Sequence, residues 1–158
     1  MAEWLGHSNQ KLYQARVLLE AYDLACEQGH SALIDALQES VLFQLILAYQ
    51  SYLHEIAEIA QFRDEFYSLS QLLEKTPVVT GEMTELQQLE SDDFSWLSQL
   101  QLAFQQCSQK NSAISAKPQI NPVMIQMQDA TNMGLPLGSW YFELSGIIDL
   151  QRNNRQES

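Results

Sequence analysis

The histidines of the chain are the residues best suited to metal binding or proton transfer. His7, His30 and His54 are the three that it has. None stands in an HxxxH or HExxH motif, which would place two ligands on one face of a helix. His54 and Glu58 are four residues apart and would share a helix face, a spacing that is also typical of an ordinary surface pair worth a few tenths of a kcal/mol. The sequence therefore predicts no metal and no other cofactor.

Motifs for nucleophilic catalysis or phosphate binding are also missing. Neither Cys26 nor Cys107 has a histidine or basic neighbour in sequence that would activate its thiol. GxSxG, P-loop and GxGxxG patterns do not occur. The Gly134–Gly138 segment has a proline and two leucines between its glycines. Phosphate is bound by consecutive free backbone N–H groups, so this segment is a poor phosphate site. A catalytic set built from distant residues stays open, but the motifs favour a protein without catalytic activity.

Acidic residues around an expected helical turn form the first candidate contact surface. Glu20, Asp23 and Glu27 precede this turn, and Asp35 and Glu39 follow it. In an antiparallel hairpin they would lie near one end and repel one another, and acids near a helix C-terminus cost about 0.3–1 kcal/mol each. Because such costs are small and screened by salt, a solvated rim is one interpretation. The functional interpretation is a docking patch for a basic partner or, alternatively, a cation.

Aromatic residues and methionines near the C-terminal end form the second candidate contact surface. Its members are Trp140, Tyr141, Phe142, Met124, Met127 and Met133. Neighbouring residues of a helix point to different sides, so at least one of the three consecutive rings should lie against the preceding segment or at a partner surface. Methionines and aromatic rings suit an adaptable apolar contact. The alternative is that the preceding segment packs on its own side chains and covers one end of the protein.

The charge balance limits the classes of partner. The net charge is −12, from 20 acidic and 8 basic residues, which disfavours nucleic acid and anionic membranes. The most apolar run, Val41–Tyr49, is interrupted by Gln44 and is far shorter than the ~20 residues that span a bilayer. The first residues lack the basic and apolar regions of a signal peptide. We therefore expect a cytoplasmic protein whose partner is another protein or a second copy of itself.

Hydrophobic periodicity predicts the elements that position these residues. A chain of 158 residues, 46% of them hydrophobic, fits one domain with a real core. Apolar residues recur at helical spacing before Gly29, again from Ile34 to Ile59, and more weakly in three later stretches. This pattern predicts an all-α antiparallel bundle of four or five helices with the second helix at its centre. Prolines and glycines predict a long loop at 110–138 before the last helix, and the polar tail 152–158 is expected to fray.

Two helical stretches resemble a known group of proteins. The segments 9–21 (NQKLYQARVLLEA) and 39–53 (ESVLFQLILAYQSYL) resemble short gammaproteobacterial proteins grouped as a domain of unknown function. The resemblance extends loosely over the whole chain. It implies a small bacterial helical protein and supplies no catalytic or binding residues.

Three functional hypotheses follow. The leading one is a non-catalytic interaction or regulatory protein that acts through helix faces or the 110–138 loop. The alternative is a small-molecule or nucleotide-handling helical domain similar to the HEPN group, whose ribonucleases carry an Arg-x4–6-His motif near a late helix. Here Arg152 and Arg155 have no histidine after them, which disfavours the ribonuclease version. A carboxylate-bridged metal bundle would need ExxH pairs that the sequence lacks.

Overall fold

The computed structural model describes residues 2–109 and 135–157, and the elements in these two ranges are all α-helices. They are α1 (Ala2–Gln28), α2 (Ser31–Ile59), α3 (Leu69–Lys75), α4 (Gly81–Ser91), α5 (Trp96–Ser108) and α6 (Leu137–Glu157). The described ranges contain no strand, which confirms the prediction of an all-α protein. The candidate residues Met124 and Met127, and most of the predicted 110–138 loop, lie outside the described residues.

The turn between α1 and α2 is formed by Gly29 and His30. Gly29 has a φ of +70°, the left-handed conformation in which glycine is the least strained residue. The Nδ1 atom of His30 accepts a hydrogen bond of 3.3 Å from the backbone N–H of Leu33 and so caps α2. Because this turn is so short, α2 reverses direction directly after α1.

Contacts far from the turn establish that α1 and α2 are antiparallel. Near the start of α1, the Trp4 ring stacks on His54 and His7 Nδ1 lies 2.7 Å from the hydroxyl of Ser51. Both of these partners lie in the last third of α2. This helix also packs against α5 and α6, and its Val41 and Leu45 side chains are fully buried. Among the described helices α2 is therefore the central one.

Six helices are present in the described ranges, where four or five were predicted. The extra helix arises because the stretch from Thr80 to Ser108 is divided after Ser91. The Ser95 hydroxyl accepts a hydrogen bond of 3.1 Å from Ser98 N–H, which caps α5, and donates one of 2.5 Å to the carbonyl of Leu89. These bonds fix the break between α4 and α5.

Helix α6 differs from its prediction in length and in direction. It begins at Leu137, inside the predicted 110–138 loop, and continues through Glu157, so the described part of the 152–158 tail is helical, while its fraying stays a prediction. The tail is held because Arg152 and Arg155 bind acidic residues on the inner side of the helix. The Leu135 N–H lies 3.5 Å from Gln38 Oε1, and Arg152 contacts Glu55 further along both helices. Thus α6 runs parallel to α2, unlike the antiparallel arrangement predicted for the bundle.

Candidate functional site

The three consecutive aromatic residues of α6 have different environments. Trp140 is 3% exposed and lies in the core, Tyr141 is half-buried, and Phe142 is 74% exposed. Trp140 is buried because it shares the inner face of α6 with Leu144 and Ile148, at spacings of four and eight residues. The candidate contact residue Trp140 therefore lies in the core and not at the surface. Phe142, the third ring of the set, is the one at the surface.

The acidic residues of the first candidate surface are all exposed. Glu20, Asp23, Glu27, Asp35 and Glu39 belong to the turn end of the α1–α2 hairpin. No group of three His, Cys, Asp or Glu in the described part of the chain could hold a metal ion. The arrangement fits the solvated rim, and it gives no geometry for the cation that was the alternative.

The two cysteines lie near this rim as free thiols. Cys26 is half-buried and Cys107 is exposed. Burial, followed by the Cys26 thiol and then by the carboxylates of Asp23 and Asp35, raises the pKa of Tyr22 to about 12. Burial and then Glu39 raise the pKa of Cys107. A thiol with a raised pKa is a weaker nucleophile at neutral pH, which argues against covalent catalysis by Cys107.

An ion-pair network joins α6 to α2 and α4. The buried Glu55 carboxylate accepts hydrogen bonds from Arg152 Nε (2.9 Å) and Nη2 (2.7 Å) and from Arg155 Nη2 (3.0 Å). Arg155 Nη1 also donates to Glu82 and, at 3.3 Å, to the Tyr52 hydroxyl. Bidentate arginine–carboxylate pairs of this kind are strong and specific in geometry. The network therefore fixes the position of α6 on the bundle.

A glutamine and a tyrosine complete this network. The Tyr52 hydroxyl donates a hydrogen bond of 2.6 Å to Gln151 Oε1, and Gln151 Nε2 donates one of 2.8 Å to Glu85 Oε1. Burial raises the pKa of Tyr52 above its ordinary range, an effect that Arg155 partly offsets. Tyr52 is therefore a neutral donor at physiological pH. Sequence reasoning did not identify the network, although an acid at position 55 inside the apolar stripe of α2 is a signal that a buried cation must lie opposite.

An open cleft of about 420 Å³ adjoins the network. It is lined by Leu5, Glu55, Glu58, Ile59, Arg152, Arg155 and Gln156. Both guanidinium groups are already bonded to carboxylates, and Glu58 adds a further negative charge to the lining. Phosphate would therefore have to displace existing ion pairs in order to bind here.

His54, although four residues from Glu58 on α2, does not form a pair with it. Its ring is stacked between Trp4 and Phe66, with centroid distances of 4.3 Å to each. The Glu58 carboxylate instead lies 3.7 Å from Arg63. The two residues thus hold the start of α1 and the segment after α2 in place, and they are not arranged as two ligands of one metal.

A second open depression, which we call the α4–α6 groove, has a volume of about 550 Å³. Half-buried Leu89, Trp96 and Ile147 line it, and the exposed Phe142 and Leu150 rise from α6 beside them. The remaining lining residues are Glu85, Gln88, Asp92, Glu143 and Gly146. The groove therefore combines an apolar surface with acidic residues and, within the described chain, no lysine or arginine lines it.

The helical period explains why α6 has an apolar outer face. Residues 142, 146 and 150 are spaced by four and therefore follow one side of the helix, roughly opposite the buried face of Trp140, Leu144 and Ile148. The edge of the Tyr141 ring contacts Phe142 at a centroid distance of 5.6 Å and supports it from the side. A Cβ added to Gly146 would meet no atom within 4 Å, so internal packing does not require glycine there.

The length and hydropathy of α2 alone would allow it to cross a membrane, judged over the described residues. A core helix has the same properties, and α2 contributes the largest share of the buried side chains named for any one helix. The absence of a membrane partner and the cytoplasmic location stay predictions.

Comparison with known proteins identifies a family without a known activity. A family model described as "Family of unknown function (DUF6586)" matches residues 1–158. No curated protein and no solved structure matches the chain. The resemblance to a domain of unknown function is confirmed at the level of the family, and the gammaproteobacterial origin that it implied stays a prediction.

Proposed function

Since the chain belongs to DUF6586, a family of unknown function, we propose a function from the surface of the molecule: it is a non-catalytic interaction domain that binds a partner protein through the α4–α6 groove. The observation that supports this proposal is the 74% exposure of Phe142 above an apolar groove. Burying a phenylalanine side chain contributes about 1.5–3 kcal/mol. Binding of a protein that covers this groove would be stabilised by this burial energy and by the burial of part of the Leu150 side chain.

The position of the exposed apolar side chains supports binding over a purely structural role. Leu89, Trp96 and Ile147 already pack against the core with one side and face the groove with the other. Phe142 and Leu150 lie beside this continuous apolar surface, so a partner would contact five apolar side chains at once. Isolated exposed apolar residues are common on proteins, whereas contiguous ones with a polar rim are typical of binding sites.

The nucleotide-handling alternative has weaker support. Its cationic residues would be Arg152 and Arg155, and both are bonded to the buried Glu55. Glu58 and Glu82 place further negative charge next to them. Because a nucleotide phosphate would be repelled by these carboxylates, the neighbouring cleft favours a structural role for the two arginines.

Photocrosslinking in the native cell tests the proposal. A benzophenone amino acid placed at position 142 should give discrete crosslinks to a partner protein. The matched control is position 94, because Phe94 is also 74% exposed but does not line the groove. Equal crosslinking from both positions, or none from position 142, would contradict binding through the groove. A crosslink between two copies of the chain would show that the groove binds a second copy and not a different protein.

A further inference from the structure

We infer that the occupant of the α4–α6 groove is a basic amphipathic helix of the partner, lying along α6 over Gly146. The inference rests on the proposed function and extends it to the chemical class of the partner. Three independent features of the groove carry it: the sign of its charge, the shape of its apolar surface, and the glycine in its middle.

The charge of the groove selects a basic partner. Glu85, Asp92 and Glu143 are the charged residues that line it. One oxygen of Glu85 accepts a hydrogen bond from Gln151, and among the described residues no lysine or arginine forms an ion pair with Glu85. The whole chain has a net charge of −12, so no long-range field counteracts these acids. An acidic or phosphorylated segment would be repelled, whereas lysines or arginines flanking an apolar stripe would meet carboxylates on the rim.

The shape of the groove selects a helix. The described elements are all helices, and they offer no unpaired sheet edge on which an extended peptide could add a strand. Phe142 and Leu150 are eight residues apart on α6 and thus about 12 Å apart along its axis. A partner helix with apolar residues at positions i and i+7, about 10 Å apart, matches this separation. An amphipathic helix can therefore contact both ends of the groove in one orientation.

Gly146 lies between these two apolar residues and lets a second helix approach closely. Glycine inside a helix costs about 0.5–1 kcal/mol relative to alanine. Nothing in the described chain occupies the space beside it, because an added Cβ would meet no atom within 4 Å. That space is open, as it is beside the other described glycines. A helix lying along α6 at this point would rest directly on its backbone.

A pair of synthetic peptides tests the charge and the shape of the occupant. Each peptide is a helix of about 18 residues with leucines on one face, and the other face carries lysines in one peptide and glutamates in the other. Fluorescence anisotropy of the labelled peptides measures their binding to the full chain. We expect the lysine peptide to bind, and the glutamate peptide to bind at least about tenfold more weakly. Equal affinities would overturn the inference that the occupant is basic.

A matched pair of glycine substitutions tests whether the lysine peptide binds at the groove or at other acidic parts of the surface. Gly146→Leu fills the space beside α6, while Gly6→Leu places the same side chain at a glycine of α1 that also has no atom near its Cβ position. Neither substitution changes the charge. We expect Gly146→Leu to weaken the lysine peptide about tenfold or more, and Gly6→Leu to leave its affinity unchanged. Equal affinities for the two variants would overturn the site.

The experiments distinguish a failure of the helix inference from a failure of the proposed function. If crosslinking from position 142 finds a partner but both peptides bind weakly and equally, the groove binds a protein of another chemistry and the helix inference is wrong. If the lysine peptide binds at Gly146 but no partner is crosslinked in the cell, the groove has the inferred specificity and the proposed function is wrong. Circular dichroism of Gly146→Leu, which should match that of the parent chain, shows that loss of binding is not loss of folding.

Discussion

The inner and outer faces of α6 differ in whether their side chains find contacts within the chain. On the inner face, Arg152 and Arg155 are bonded to buried or half-buried carboxylates, and Trp140 is enclosed by the core. On the outer face, Phe142 and Leu150 are exposed around a glycine that has no packing neighbour. The inner residues are satisfied within the chain and therefore explain folding. The outer residues gain energy only from something that covers them, which is the physical distinction between a structural and a binding surface.

The largest expected effect comes from charging the core that the inner face packs on. Leu45 of α2 is 0% exposed, so Leu45→Asp would bury an unpaired carboxylate and should abolish stable folding, a loss of more than about 4 kcal/mol. Phe43→Asp is the control, because Phe43 lies on the same helix but is 49% exposed. Thermal melts followed by circular dichroism compare the two. An unchanged melting temperature for Leu45→Asp would show that α2 is not central.

Breaking the ion-pair network should cost nearly as much. Glu55→Gln leaves two guanidinium groups beside a neutral amide, and removing one partner of a buried ion pair typically costs about 3–5 kcal/mol. Glu58→Gln is the matched control, since its partner Arg63 is largely exposed and such pairs contribute about 0–1 kcal/mol. Urea unfolding gives both values. If the two variants lose the same stability, the network is not what holds α6 in place.

The aromatic residues of α6 give the most direct comparison of its faces. Trp140→Ala removes a core ring and should cost about 3–5 kcal/mol of folding free energy. Phe142→Ala removes an exposed ring and should change stability by less than about 0.5 kcal/mol. For binding the expectation is reversed: Phe142→Ala should abolish capture of the lysine peptide while the protein stays folded. Similar stability losses for both variants would mean that α6 is rotated from the orientation described here.

Sequence patterns predicted the hairpin better than they predicted α6. The period of apolar residues in α1 and α2, together with Gly29, was sufficient to predict two helices and a tight turn. Both helices and the turn depend on residues that are close in sequence. The direction of α6 depends on residues far away in sequence, above all on Glu55, and no periodicity within α6 encodes it. The exposure of the aromatic residues is more local, because the spacing of Trp140, Leu144 and Ile148 is itself a signal that Trp140 is buried and Phe142 is not.

The same reasoning applies to the groove. Its two sides come from α6 and from the region around α4 and Trp96, which are separated by more than forty residues of sequence. Acidic residues at positions 85, 92 and 143 are unremarkable when they are read along the chain. Only the packing of α6 beside α4 and α5 brings them to one rim. A surface built from distant helices has no local signal, whereas the acidic residues at the α1–α2 turn could be anticipated because the turn is local.

The smallest expected effect concerns Gly146, and it has the opposite sign from the others. Gly146→Ala should raise the free energy of unfolding by about 0.5–1 kcal/mol, because alanine restricts the unfolded chain and its Cβ meets no neighbouring atom. The control is Gly29→Ala, which forces a Cβ into a conformation with a φ of +70° and should lose about 1–2 kcal/mol. Chemical denaturation of the three proteins resolves these differences. A gain at position 146 would mean that the isolated chain is less stable with glycine than with alanine there, as expected if the glycine serves contact with a partner. A lower free energy of unfolding for Gly146→Ala would show that the outer face of α6 requires glycine for packing within the chain. The distinction between a structural inner face and a binding outer face would then be wrong.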